Sequence, residues 1–240
     1  MVERLLDSTI SDAKSIGQRL STVCLVMLLA ACGAKQVIVQ GNFPEPLLEP
    51  LPLSIGVVYS DEFANHEFFD EAAGRTDSDW LVSTGAAQVA FWDTLLGGMF
   101  QRVVRIGEHA DLHQYENQLD AVIVPYIEDL QYTIPTHTNV KVYEIWMRYR
   151  FRLVTLNDIH DHDNGALTYN PEVSFADWQL TAYGKTPTAF MQTDEAAVNL
   201  AAVVALRDAG ANFVTSFERV PQVAQWLAGR DKMNTSKAAE

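Results

Sequence analysis

The stretch Val140 to Leu156 constrains the fold more tightly than any other part of the chain. Tyr143, Ile145, Met147, Tyr149, Phe151 and Leu153 alternate there with Glu144, Trp146, Arg148, Arg150 and Arg152. Successive side chains of a strand point to opposite faces, so this period of two places an apolar row on one face and a charged row on the other. The apolar face needs a cover, and a lone strand cannot supply one. Asn157 to Gly165 is rich in the residues that turns require. Leu167 to Tyr183 is therefore expected to return as a partner strand, making a long hairpin. Along that return the apolar phase changes from Val173 and Phe175 to Trp178 and Leu180, which predicts a bulge near Ala176.

The cover is predicted to be helical. From Trp80 to Phe100 the residues Val89, Phe91, Trp92, Leu95, Leu96, Met99 and Phe100 recur at three and four, the spacing of one helical face. A second helix follows Thr193, a good cap, with Asp194 and Glu195 suited to the positive helix start and an alanine-rich run from Ala196 to Phe217. A short helix from Pro221 is expected to stop near Gly229, with residues 231–240 frayed. Further strands are expected at Leu53 to Tyr59, Arg102 to Ile106, Leu119 to Val124 and Tyr126 to Ile134, with Ser60 to Asp79 a loop holding at most a short helix. The order predicts an α+β fold: a mixed, mostly antiparallel sheet with a long hairpin and helices packed on it.

The chain start has a different character. Thr22 to Ala31 is an apolar run of about ten residues, the length of an export-signal core and short of the roughly 20 residues of a membrane-spanning helix. Its apolar residues are contiguous, which is unlike the 3.6-residue period of a buried amphipathic helix. The run ends in Leu29-Ala30-Ala31-Cys32, which resembles the lipobox of bacterial lipoproteins. That resemblance implies diacylglyceryl attachment to Cys32, cleavage before it, and acylation, palmitate included, of the new amino terminus. Gly33, standing where aspartate would be an inner-membrane retention signal, agrees with outer-membrane sorting. The expected organisation is a signal peptide at 1–31, a proline-rich tether at 32–52 carrying Pro44, Pro46, Pro50 and Pro52, one periplasmic domain at 53–230, and the tail.

The layout of lipobox, tether, buried first strand, early helix and late helix with Leu206-Arg207-Asp208-Ala209 also resembles periplasmic accessory lipoproteins of envelope export and assembly, including the curli-secretion type. It implies an outer-membrane anchor, a periplasm-facing domain, an envelope protein partner and no catalysis. The formal net charge of -14 falls on the mature part, because three acidic and three basic residues cancel within the signal. So acidic a surface argues against nucleic acid as a partner. The two cysteines are Cys24, inside the signal, and Cys32, so no disulfide staples the domain.

Chemistry-bearing motifs are few. The sequence has no phosphate-cradling glycine loop, no paired-cysteine metal motif and no nucleophile elbow. No cofactor is expected. Asp158 to Gly165 sets His160 and His162 among aspartates, which suits either a solvated hairpin turn or a weak divalent-metal site serving a periplasmic hydrolase. Asp120, Glu128 and Asp129 are a remote acid cluster, since Glu128 and Asp129 should point to opposite strand faces. Arg148, Arg150 and Arg152 share a face with Trp146 and need compensating charge. Either Glu172 or Asp177 on the returning strand supplies it, or the strip meets a partner surface or an anionic headgroup. A binding role for a small ligand or lipid is the remaining class.

Overall fold

The computed structural model describes residues 34–71, 79–115, 117–133, 142–155, 174–187 and 193–238. Contacts divide the chain into two units, residues 1–35 with 71–79, and residues 36–70 with 80–240. In the first, the Lys35 amide donates to the Asp79 carbonyl at 2.7 Å. Residues 1–33, with the expected signal segment and Cys32, and residues 156–173, with His160, His162 and the expected turn, lie outside the described residues.

The second unit is built on a five-stranded sheet. Its strands are β2 (Leu51–Val58), β5 (Phe100–Ile106), β6 (Ala121–Thr133), β7 (Val142–Val154) and β8 (Ala176–Pro187), in the order β5-β2-β6-β7-β8. β2 runs parallel to β5 and β6, whereas β6, β7 and β8 are antiparallel to one another. A three-stranded sheet, β1-β4-β3, comes from β1 (Lys35–Ile38), β3 (Glu67–Asp70) and β4 (Trp80–Ser83). The helices are α1 (Asp61–Ala64), α2 (Gly85–Met99), α3 (Asp194–Ser216) and α4 (Pro221–Ala238). The fold is α+β, as the element order predicts.

The alternation in β7 produces the core directly. Tyr143, Ile145, Met147, Tyr149, Phe151 and Leu153 are all buried under the helices. Trp92 of α2 meets Tyr149, Phe151 and Phe213 edge-on at 4.9 to 5.5 Å, the geometry that aromatic quadrupoles favour. The start of β6 is covered on both faces, as a continuous apolar run requires. Ala121 and Ile123 face the main core, while Val122 and Val124 join Val58, Ile106, Leu112 and Leu119 in a second cluster.

α3 begins as its sequence dictates, with the Thr193 hydroxyl accepting from the Ala196 amide at 3.1 Å. It lies so close to β8 that a Cβ on Gly184 would stand 1.9 Å from the Ala201 carbonyl oxygen. Only glycine permits that approach. The helix also covers the free edge of the sheet: Asp208 accepts from the Tyr183 amide at 2.9 Å, and Asn212 donates to the Thr181 carbonyl at 3.0 Å. An edge strand left bare would offer those groups to another chain.

Several expectations are corrected. The span Trp80 to Phe100 is not one helix: Trp80 and Val82 are buried with a period of two in β4, and the helix starts at Gly85. The expected loop at 60–79 holds α1 and β3. The proline-rich tether is shorter than its composition suggests, because Val37 and Val39 are buried and β1 lies within it. β7 and β8 pair without interruption from Leu153↔Ala176 to Val142↔Pro187, and just before Ala176 the Phe175 amide also donates to the Leu153 carbonyl at 3.0 Å, one residue out of that register, the irregularity that the phase change predicts there. Phe175 precedes the strand and packs on Trp226 at 5.5 Å, which explains its odd phase. A further register shift, which the sequence reading did not place, falls between Ile127 and Asp129, where β6 meets β7. α4 continues to Ala238, since Gly229 lowers helix stability by only about 1 kcal/mol and no proline follows.

Gly184→Ala is expected to destabilise the domain by about 3 kcal/mol, at the upper end for overpacking, because helix and strand backbones must separate. Chemical denaturation measures it.

Candidate functional site

The charged face of β7 is the first candidate. Its register sets Arg152 beside Asp177, Arg150 beside Gln179, Arg148 beside Thr181 and Trp146 beside Tyr183 on β8. Asp177 accepts from Arg150 Nε at 2.7 Å and from Arg152 Nε at 3.3 Å, bridging two guanidinium groups. The hydrogen bond from Arg150 to Asp177 raises the arginine's pKa above its usual value, and the charge of that carboxylate adds to the effect. Glu128 takes Arg150 Nη1 at 3.3 Å on one oxygen and Gln179 Nε2 at 2.7 Å on the other. Arg152 also stands over the Tyr126 ring at 5.2 Å.

The bulge in β6 corrects the expected placement of the acidic pair. Strict alternation would turn Glu128 and Asp129 to opposite faces, but the extra residue brings both to the arginines, with Asp129 Oδ2 3.9 Å from Arg148 Nη2. The compensating charge is therefore internal, and Asp177 supplies it as one sequence alternative required. Glu172 lies outside the described residues. Pairing is close for Arg150 and Arg152 and loose for Arg148. Beside Arg148, Trp146 remains 47% exposed and overlies Tyr183 at 4.3 Å between ring centroids. The more exposed and more loosely paired part of the strip is thus its Trp146–Arg148 end.

Asp120 has no acid partner at Glu128 or Asp129. It accepts from the Ser54 amide at 2.7 Å and from Arg230 Nη2 at 2.6 Å, tying β2 to α4.

The second candidate is a cavity that sequence reading did not reveal. Residues 40–48 cross the domain as a strap, held to α3 by Asn199. Its amide oxygen accepts from the Gln40 amide at 2.7 Å, and its nitrogen donates to the Gln40 carbonyl at 3.1 Å. Arg207 Nη2 donates to the Asn42 carbonyl at 2.9 Å. Further along, Pro46 lies so close to Gly98 of α2 that a Cβ there would stand 2.6 Å from Pro46 Cδ. Between these fixed points a cavity of about 380 Å³ opens. Phe43, Pro44, Pro46 and Leu47 form one wall, Phe91 and Leu95 of α2 another, and Gly210, Ala211 and Val214 of α3 a third. Phe43 meets Phe91 edge-on at 5.1 Å.

A third feature is a buried polar chain. Tyr149 donates its hydroxyl proton to Gln88 Oε1 at 2.7 Å, Gln88 Nε2 donates to Thr84 Oγ1 at 2.8 Å, and Thr84 Oγ1 lies 2.7 Å from His66 Nδ1. Burial lowers the His66 pKa from 6.5 and outweighs the raising effect of Glu62 and Glu67. Burial drives the Tyr149 phenol well above its ordinary range. These groups hold α2 to the sheet, and the Thr84, Gln88 and Tyr149 side chains are buried there. Among the described residues no group of three or more His, Cys, Asp or Glu side chains is placed to hold a metal ion.

No protein-family model and no curated protein matches the chain. Among solved structures, a Xanthomonas campestris protein of family model DUF330 overlays with a TM-score of 0.45 at 12% identity, covering 84% of this chain and 99% of that one. A minor lipoprotein from Acinetobacter baumannii gives a TM-score of 0.31 at 9% identity, over 70% and 92% of the two chains. A lipoprotein from Neisseria meningitidis gives 0.25 at 14% identity, over 67% and 99%.

Because its folded-state pKa is lowered, His66 binds fewer protons in the folded chain than in the unfolded one as pH falls. Its contribution is complete above 6.5, the ordinary value, and declines as pH falls through the lowered folded value. The denaturant midpoint should therefore drop between about pH 7.5 and about pH 5.5, and by less in His66→Gln. Equal losses in the two proteins would assign the acid sensitivity to other groups.

Proposed function

We propose that this chain is a lipid-anchored, noncatalytic lipoprotein of the bacterial envelope. It is held at the outer membrane through Cys32, faces the periplasm, and binds a protein partner of a transport, secretion or assembly machine. The observation that carries the reading is the apolar run Thr22 to Ala31 ending in Leu29-Ala30-Ala31-Cys32. A single acyl chain binds a bilayer only marginally, whereas several on one cysteine anchor stably. The rest of the chain supports a binding role. Its densest charged strip is engaged in internal pairing, and Trp146 is left as a large exposed aromatic beside a loosely paired arginine. Tryptophan and arginine are the residues most often found at the centre of protein interfaces.

Cys32→Ser is expected to leave the domain folded and to move the protein from the membrane pellet to the soluble fraction. Continued pelleting that resists a salt wash would place the anchor elsewhere. A second experiment addresses the partner surface: Trp146→Ala combined with Arg148→Gln should abolish recovery of envelope proteins in a pull-down while leaving the melting temperature unchanged. Intact recovery with a lowered melting temperature would return both residues to cross-strand packing.

A further inference from the structure

We infer that the cavity under the 40–48 strap binds a single acyl chain whose anionic head pairs with Arg207. Its size, about 380 Å³, lies near the lower end of small-molecule sites, roughly 300 to 1,000 Å³, and suits one medium-length chain. Apart from Arg207 at the rim and the Thr215 hydroxyl, the side chains that line it are apolar, a poor match to the many polar groups of a sugar or a nucleotide base. The lining hydroxyl, Thr215, already donates to the Ala211 carbonyl of its own helix at 2.8 Å. An apolar cavity of this kind gains its ligand's burial from hydrocarbon.

The charge at the rim selects the head. Arg207 is exposed and lines the cavity, and among the described residues no carboxylate pairs with it. In a chain of formal net charge -14 such a cation stands out. One N–H goes to the Asn42 carbonyl, and a guanidinium has five, so donors remain for a carboxylate or phosphate at the mouth. Leu47 stands fully exposed at the same rim and Leu48 is 41% exposed, which leaves apolar surface for the upper part of a chain to cover. The cavity is held open in advance by the contacts of Asn199, Arg207 and Pro46, so binding need not order the strap.

The test uses the full chain and a photoactivatable dodecanoate, with adducts mapped by mass spectrometry. They should concentrate on peptides carrying Phe43 to Leu48 and Arg207 to Thr215, and excess dodecanoate should displace them far better than dodecyltrimethylammonium. Ala211→Trp, which fills the cavity from an exposed helix position, should reduce the yield at least about tenfold. Leu47→Asp should reduce it as well, and at a fully exposed position it leaves folding intact. Arg207→Gln should erase the preference for the anionic competitor. Competition by dodecanoate alone identifies a free fatty acid, and competition also by a lauroyl lysophosphatidylglycerol identifies one chain of an anionic lipid; either carries the proposal. Adducts that map elsewhere, or that persist in folded Ala211→Trp and Leu47→Asp proteins, overturn it, as does equal displacement by the cationic amphiphile.

Discussion

The close seating of α3 on β8 is the contact on which the rest of the domain depends. Gly184 lets the helix backbone approach the strand, and Ala197, Ala201, Ala202 and Ala205 give it a small-residue face to seat there. From that position the helix performs three tasks. It covers the apolar row of β7, it closes the free edge of the sheet through Asp208 and Asn212, and through Asn199 and Arg207 it holds the strap. By length and composition α3 with the turn after it could cross a membrane, yet more than half of its most apolar window is buried. Its hydrophobicity is used on the sheet.

Neutralisation of like charges shapes the opposite face. Three arginines on alternate positions of one strand repel one another, and the bulge in β6 supplies the second and third carboxylates by turning Glu128 and Asp129 toward them. Asp177 alone would leave Arg148 without a carboxylate partner in its reach. Pairs this exposed contribute little stability individually, so their main consequence is to hold the side chains in place around Trp146. Ion-pair distances lengthen from 2.7 Å and 3.3 Å at Arg150 and Arg152 to 3.9 Å at Arg148, beside the exposed Trp146.

Much of this could be read from the residues, and the failures have a common cause. The β7 alternation, the cap at Thr193 and the α+β order are local patterns with a known period, and each appears in the structure. Trp80 to Ser83 reads as the start of the following helix because so short an apolar run fits either period. The prolines of the strap signalled the absence of regular structure and said nothing about packing, so Phe43 and Pro46 were invisible as cavity walls. Their partners Phe91 and Gly98 lie far along the chain, and no local pattern joins them. The reason for a glycine at 184, the Ala201 carbonyl, needs the tertiary fold. In Leu206-Arg207-Asp208-Ala209, Arg207 holds the strap and Asp208 closes the β8 edge, roles that the layout resemblance did not specify.

Among the described residues the apolar surface is largely enclosed, and the proposed attachment to a membrane rests on the segment that ends at Cys32. The claim that the chain is carried by lipid on Cys32 is tested most directly by intact mass measurement of the protein extracted from bacterial membranes. The account predicts a chain that begins at Cys32 and carries a diacylglyceryl group and an amide-linked acyl chain. A chain that still includes Leu29-Ala30-Ala31, or one that starts at Cys32 without added lipid mass, would contradict it.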